Sequence, residues 1–479
     1  MSHHTNPLLA LNRRRWLQFT GTTLAGALGA TGLSALLPAA PAQAQSAYKA
    51  LVCVFLYGGN DGMNTVVPTD LTRHNQYAGV RGELALPRSS LVGLSGTDLG
   101  LHPAMAALSS AWSEGSLAPV LNVGPLYAPM SKSEYRNAAA GSSLIPDSLF
   151  SHADQQVLWE AASTDALERT GWGGRAAATL GTTNPVISLG GSGRFGLSAY
   201  QPPLVLPEPG ATFGLEGLTD TSWAPVAARK TALEAMYADA QANTLLNTYG
   251  QQQRDAFAVA TRLGDLVKVQ PGSTGSSAAI NNAFAPITAD GKISTGIGKQ
   301  LYQVAKLVEG RAVVQGDRQI FFAQQGGYDT HGDQIASTNL VGAHAGLLKA
   351  LADAMACFHN AMKAIGQDQG VTLFTQSDFG RTFKPNSSKG TDHAWGNHHL
   401  VLGGAVKGNA TYGTYPELVL GGANDVGVDS WERHGRWIPA VGVDQYAATL
   451  LSWLGASSGQ LATVLPNLKN FSQKNLGFV

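Results

Sequence analysis

Charge is scarce in this chain: 13% of its 479 residues are Asp, Glu, Lys or Arg, and the two signs balance at 32 each. That composition offers no basic stripe or acidic block to recruit a nucleic-acid partner. Cysteine is scarcer, with Cys53 in an apolar run and Cys357 in a helical pattern. Free buried thiols are the expectation, with a disulfide between the two left open. After the first 44 residues no apolar run has the length of a membrane-spanning helix, so no stable membrane span is expected. No internal repeat is visible, and no Gly-x-Ser-x-Gly elbow supports a serine esterase.

The N-terminus reads as an export address. Arg13-Arg14-Arg15-Trp16-Leu17 matches the twin-arginine pattern, residues 19–37 are weakly apolar and rich in Gly, Ala and Thr, and Ala42-Gln43-Ala44 forms a small-residue cleavage signal. Residues 1–44 are therefore expected to engage the twin-arginine translocase, with a mature domain over 45–479 that is periplasmic or secreted. This route carries folded proteins, which suits a chain that takes up a metal or cofactor before export. Removing Arg13, Arg14 and Arg15 with the signal leaves 29 basic against 32 acidic residues, a net of about −3.

Continuous apolar runs that end in glycine recur along the mature chain. Residues 50–57 read as a strand buried on both faces, as do 117–123, 186–189, 319–323, 371–376 and 399–402. Helical patterns fall between them, at 102–112 and 154–162. The class is therefore α/β, a central mostly parallel sheet flanked by helices. Helical periodicity over 227–263 and 297–314, split by a Gly/Ser/Pro-rich stretch, predicts a helical insertion or cap at about 224–310.

Chemistry-bearing residues cluster where these runs break. Asp61 follows the first strand, Asp329 and His331 follow the 319–323 run, Asp378 follows 371–376, and His393 precedes 399–402. Strand ends in an open α/β sheet converge on one rim, so these side chains are candidates for a shared metal site. Asp329 and His331, two apart, leave one face of an extended segment together. Asp61 and Asp378 are hard oxygen donors suited to a second divalent cation. His398 and His399 must point to opposite faces, so one of them, with His398 as the candidate, can join the site. Structural alternatives stand beside each: Asn-Asp-Gly at 60–62 is a good turn, and Asp378 can pair with Arg381 in a loop. Ser151 sits where a helix begins, as an N-cap or as a hydroxyl held in the positive potential of a helix start. Ser151 and Arg381 are the catalytic candidates, with Ser148 a weaker alternative to the serine.

Two resemblances follow from these motifs. The order Asp, Ser at a helix start, Asp with a nearby His, Asp, then His resembles the alkaline phosphatase and sulfatase superfamily, with Gly59-Asn60-Asp61-Gly62-Met63 similar to its first metal motif. More specifically, the chain resembles the DUF1501 family of twin-arginine-exported proteins. That likeness runs through residues 55–68, Leu101-His102-Pro103-Ala104, Ser151-His152, 171–175, Asp329-Thr330-His331, 377–382 and 390–399. The superfamily resemblance implies an alkaline-phosphatase-like fold that hydrolyses a small-molecule or envelope phosphate ester, a monoester or diester. It implies one or two divalent ions, zinc, magnesium or calcium, with Asp61, Asp378 and Ser151 around one and Asp329, His331 and His393 around the other. Phe379 stands where the superfamily has a second histidine, which favours a harder ion, a single metal or no catalysis; His152, His398 or His399 are the candidates to compensate. A non-catalytic envelope protein that keeps the fold and one structural metal is the alternative.

Two further patterns are set aside. Neither Cys53 nor Ser151 is followed by the x-Pro-x-Arg of formylglycine sulfatases. Gly191-Ser192-Gly193-Arg194-Phe195-Gly196 formally matches a dinucleotide fingerprint, but Pro202-Pro203 follows where a helix is required.

Overall fold

The computed structural model describes residues 48–139, 141–215, 217–239 and 243–479. The expected export signal at 1–44 lies outside them. The first strand, β1 (Lys49–Leu56), explains why its sequence is apolar without alternation. Ala50, Val52, Val54 and Leu56 face one hydrophobic core, while Leu51, Cys53 and Phe55 face another, so both sides of the strand are covered.

Eight further strands join it: β2 (Leu117–Gly124), β3 (Ile187–Ser188), β4 (Leu204–Val205), β5 (Arg318–Gln325), β6 (Val371–Ser377), β7 (Asn397–Leu402), β8 (Tyr412–Gly413) and β9 (Val441–Gly442). They lie in the order β8-β2-β7-β6-β1-β5-β3-β4, with β9 also paired to β2. Strand β7 runs antiparallel to both β6 and β2. The remaining pairs are parallel. The fold is thus α/β with a large, mostly parallel central sheet flanked by helices, as the strand-like runs implied. The reversal of β7 matters for the site. It brings the segment entering β7 to the same rim as the segments leaving β1, β5 and β6.

Helix α1 (His152–Ala161) starts at that rim and, with α2 (Trp172–Leu180), covers one face of the sheet. The region expected as a helical insertion divides in two. Helices α3 (Ala224–Ala238) and α4 (Thr244–Lys268) bury few residues. Helix α5 (Gly296–Glu309) instead packs with α6 (Ala343–Ala364) in the core on the opposite face. Helix α7 (Val443–Leu454) completes the first face. The helix expected at 102–112 is a 3-10 segment, Pro103–Leu108, kinked at Met105 and followed by a short helix, Ser109–Ser113. Among the described residues, no helix is long and apolar enough to cross a membrane.

Cys53 and Cys357 are both free and buried, on opposite sides of the sheet. A bulky disulfide reagent is expected to leave both unmodified in the native protein and to titrate two thiols per chain after denaturation. Fast reaction of either thiol in native protein, or none after denaturation, contradicts this placement.

Candidate metal centre

Three histidines and one aspartate meet at the rim. Potential ligand atoms of His152, Asp329, His331 and His393 all lie within 4.8 Å of one another. Oδ1 of Asp329 is 3.2 Å from Nε2 of His152, 3.1 Å from Nε2 of His331 and 3.6 Å from Nε2 of His393. The Nε2 atoms of His331 and His393 are 2.8 Å apart.

What each imidazole meets on its other side decides which atoms carry hydrogen. Nδ1 of His152 faces Oδ2 of Asp378 at 2.7 Å, and Nδ1 of His331 faces Oδ1 of Asp392 at 2.9 Å. Nδ1 of His393 faces the Phe150 carbonyl at 2.7 Å. Carboxylates and carbonyls only accept, so all three Nδ1 atoms must donate. Neutral imidazoles then present bare Nε2 lone pairs, which converge on one another and on a carboxylate oxygen. Such a group of acceptors is stable only around a cation, either protons or a metal ion.

The supports behind the rings are themselves anchored. Asp378 is buried and also accepts from the Gly58 backbone N–H at 3.1 Å and from Gln156 at 2.9 Å. Asp392 accepts from Asn386 at 3.0 Å. Asp378's hydrogen bond raises the His152 pKa, against burial, while burial lowers that of His393. Burial works against the charge on Asp329, but its bond to Arg381 and the nearby histidines outweigh it and hold the carboxyl below its ordinary value.

Arg381 is fully buried and ties the rim together. Its Nε donates to the Gly59 carbonyl at 2.8 Å and its Nη1 to Thr391 at 3.0 Å. Its Nη2 reaches the carbonyls of Gly58 and Tyr328 and the Asp329 carboxylate. The turn it grips requires glycine at 58 and 59, both at positive φ, where a side chain on the first would strike Asp329 backbone and on the second the Phe379 ring. Expected as a catalytic cation, Arg381 is a structural tie whose donors point to the protein's own oxygens. Nor does it pair with Asp378.

Other expected site residues lie apart from this cluster. Asp61 is buried against Arg81, accepts from Gln334 at 2.6 Å and caps the short helix Gly62–Thr65. Arg81 overcomes the burial penalty and keeps the Asp61 carboxyl low, so an organic cation already neutralises the expected metal ligand. Asp378 braces His152 instead of joining the ligand set. His398 is interior: its Nδ1 accepts from the Asn122 N–H at 3.0 Å, its ring packs at a tilt against Tyr415, and burial lowers its pKa to about 3. His399 packs on Trp159 from the other face of β7. Ser151 is the N-cap of α1, its hydroxyl accepting from the Asp154 N–H at a long 3.5 Å. His152, considered from sequence only as a substitute, belongs to the cluster. Its place directly after a capping serine, at the first turn of a helix that starts on the rim, was the available signal.

Replacing Arg381 by Ala takes a donor from five oxygens, four of them backbone carbonyls, of which, among the described residues, only that of Tyr328 keeps another, the Thr330 N–H. A loss of about 3–5 kcal/mol in unfolding free energy is expected, the scale for removing one partner from a buried ionic network. A change below 1 kcal/mol in denaturant melts contradicts the tie.

No curated protein matches the sequence. Crystal structures of Ps i-CgsB, one in complex with k-i-k-neocarrahexaose, share 10% identity at TM-scores of 0.34 and 0.33. The complex aligns with 89% of this chain and 77% of its own, the other with 88% and 77%. A mutant of alkaline phosphatase PafA shares 13% identity at a TM-score of 0.21, over 70% of this chain and 64% of its own. Residues 48–428, which include all four cluster residues, match the family described as Protein of unknown function (DUF1501), and the chain belongs to that family.

Proposed function

We propose that this protein is an exported, metal-dependent hydrolase of phosphate esters, with one divalent ion held by His152, Asp329, His331 and His393. The convergence of three Nδ1-pinned imidazoles on one carboxylate oxygen carries this reading. A three-nitrogen, one-oxygen donor set suits zinc better than magnesium or calcium, which prefer all-oxygen surroundings. Asp61 and Asp378, the donors expected for a second ion, are committed to Arg81 and to His152. The reading is therefore of one metal.

Exposure supports catalysis over a purely structural ion. The side chains of Asp329 and His331 are 47% and 45% exposed, so solvent and substrate reach the cluster; four protein donors would fill a tetrahedral zinc shell, and catalysis would need one of these exposed ligands to yield its place to water or substrate. A bound zinc supplies Lewis-acid polarisation of an ester oxygen. The chain's own residues hold the rings in register through Asp378, Asp392 and Phe150, and Arg381 fixes Asp329. Ser151, directly before His152 and only weakly engaged as a cap, is the nucleophile to test. Export rests on the twin-arginine pattern and the Ala42-Gln43-Ala44 signal.

Protein purified without chelator is expected to hold about one equivalent of zinc by elemental analysis, the stoichiometry of a single four-donor site. Less than half an equivalent of any divalent metal sinks the reading. Asp392→Asn is expected to keep the fold and weaken zinc binding about 10–100-fold, the usual effect of losing a ligand's hydrogen-bond partner; undiminished affinity contradicts the role given to Asp392.

Protons compete with metal for the same Nε2 atoms, most strongly at His152, whose pKa is raised. Zinc affinity is therefore expected to fall as pH drops below about 6–7, the imidazole range, and to plateau above it. A pH-independent affinity contradicts histidine ligation. Aryl-phosphate hydrolysis is expected to be abolished by chelator and restored by zinc, and to fall in Ser151→Ala. Unchanged turnover in that variant removes Ser151 as nucleophile.

A further inference from the structure

Three acidic side chains, Asp329, Asp378 and Asp392, stand at or behind the metal cluster. An anionic ester there needs positive charge besides that of the ion, and the donors of Arg381 are committed to the protein's own oxygens. Arg436 is differently placed. Its Nε donates to the His393 carbonyl at 3.0 Å, and its guanidinium lies over the Phe150 ring, 4.6 Å from the centroid. Phe150 is also the residue whose carbonyl accepts the ring proton of His393. The guanidinium is thus fixed against the same two residues that fix a ligand imidazole.

The backbone under Arg436 is equally constrained. Its N–H donates to the buried carboxylate of Asp425 at 3.1 Å. Asp425 accepts in turn from the N–H groups of Gly421, Gly427 and Gly435 at 2.9, 3.2 and 3.1 Å. Meanwhile neither Nη atom of Arg436 meets an acceptor among the described residues, and the side chain is only half-buried. A planar fork that is positioned in advance and unfilled matches two oxygens of an oxyanion, and little ordering remains to be done on binding.

We propose that Arg436 is the specificity-determining residue of this centre, engaging two oxygens of a tetrahedral oxyanion ester, phosphate or sulfate, beside the ion. The inference deepens the metal-centre reading and rests on it. Calorimetric titration of the zinc-loaded mature chain with inorganic phosphate, sulfate and acetate tests it. Wild type is expected to bind phosphate or sulfate more tightly than acetate, and the tighter of the two identifies the ester. Arg436→Gln is expected to weaken that binding about tenfold or more, the scale of a charge-assisted bidentate pair, while zinc content stays the same. Equal affinity in the two proteins, or a zinc-loaded wild type that binds neither tetrahedral anion or prefers acetate, overturns the proposal.

Reaction of unmutated protein with phenylglyoxal, followed by peptide mass spectrometry, keeps the test independent of the variant's folding and of metal content. Arg436 is expected to react and to be protected by phosphate or sulfate, while buried Arg81 and Arg381 do not react. Absent zinc defeats the metal-centre reading alone; absent protection at Arg436 defeats the anion assignment.

Discussion

One buried guanidinium sets the geometry of the rim. Arg381 joins the turn after β1, through Gly58 and Gly59, to the segment after β5, through Tyr328 and Asp329, and to Thr391 in the segment entering β7. Arginine suits this position because its donors are spread across a rigid plane and its charge persists in a dry interior. The carbonyls it satisfies belong to the backbone that frames the cluster, so the contacts that justify its burial also hold Asp329 among the imidazoles. Arg381 and His393 are themselves paired across a short antiparallel bridge, which couples the tie to one of the rings it serves.

The rim resolves its negative charge in two different ways. At Asp61 the compensation is internal: Arg81 and Gln334 close the carboxylate off from solvent, and the pair is wholly buried. At Asp329 it is incomplete. Arg381 contributes one donor to an oxygen that also faces three nitrogen lone pairs, and the group opens to solvent. The first arrangement commits to Arg81 and Gln334 a carboxylate that its place at a strand end marked as a metal donor. The second leaves a set of donors whose mutual repulsion a cation relieves. Only the second has the openness that exchange of a ligand requires.

The rim was legible in sequence because its parts are local: apolar runs that end in Gly-Gly-Asn-Asp-Gly or Gly-Gly-Tyr-Asp-Thr-His must place those side chains at strand ends. That rule placed Asp329, His331 and His393 on one rim together with Asp61 and Asp378; grouping the three around one ion came from the superfamily resemblance. The partition between ligands and supports was not legible, since it depends on contacts between residues hundreds of positions apart. Nothing in Ser-Asp-Phe-Gly-Arg-Thr tells that Asp378 braces His152 or that Arg381 turns inward to carbonyls. Asp61 likewise reads as a free donor until Arg81, twenty residues later, is folded back against it. His398 and His399 show the reverse case. Adjacent histidines in an apolar strand suggested metal chemistry, and burial on both faces of β7 makes them interior packing residues.

Anomalous diffraction at the zinc edge, on crystals of the mature chain grown without chelator, tests the central claim most directly. A single peak is expected within about 2.0–2.2 Å of an Nε2 atom of His152, His331 and His393 and of an Asp329 oxygen, the ordinary zinc bond lengths. A peak at Asp61, or none at the histidine cluster in zinc-soaked crystals, would contradict a single histidine-led metal centre.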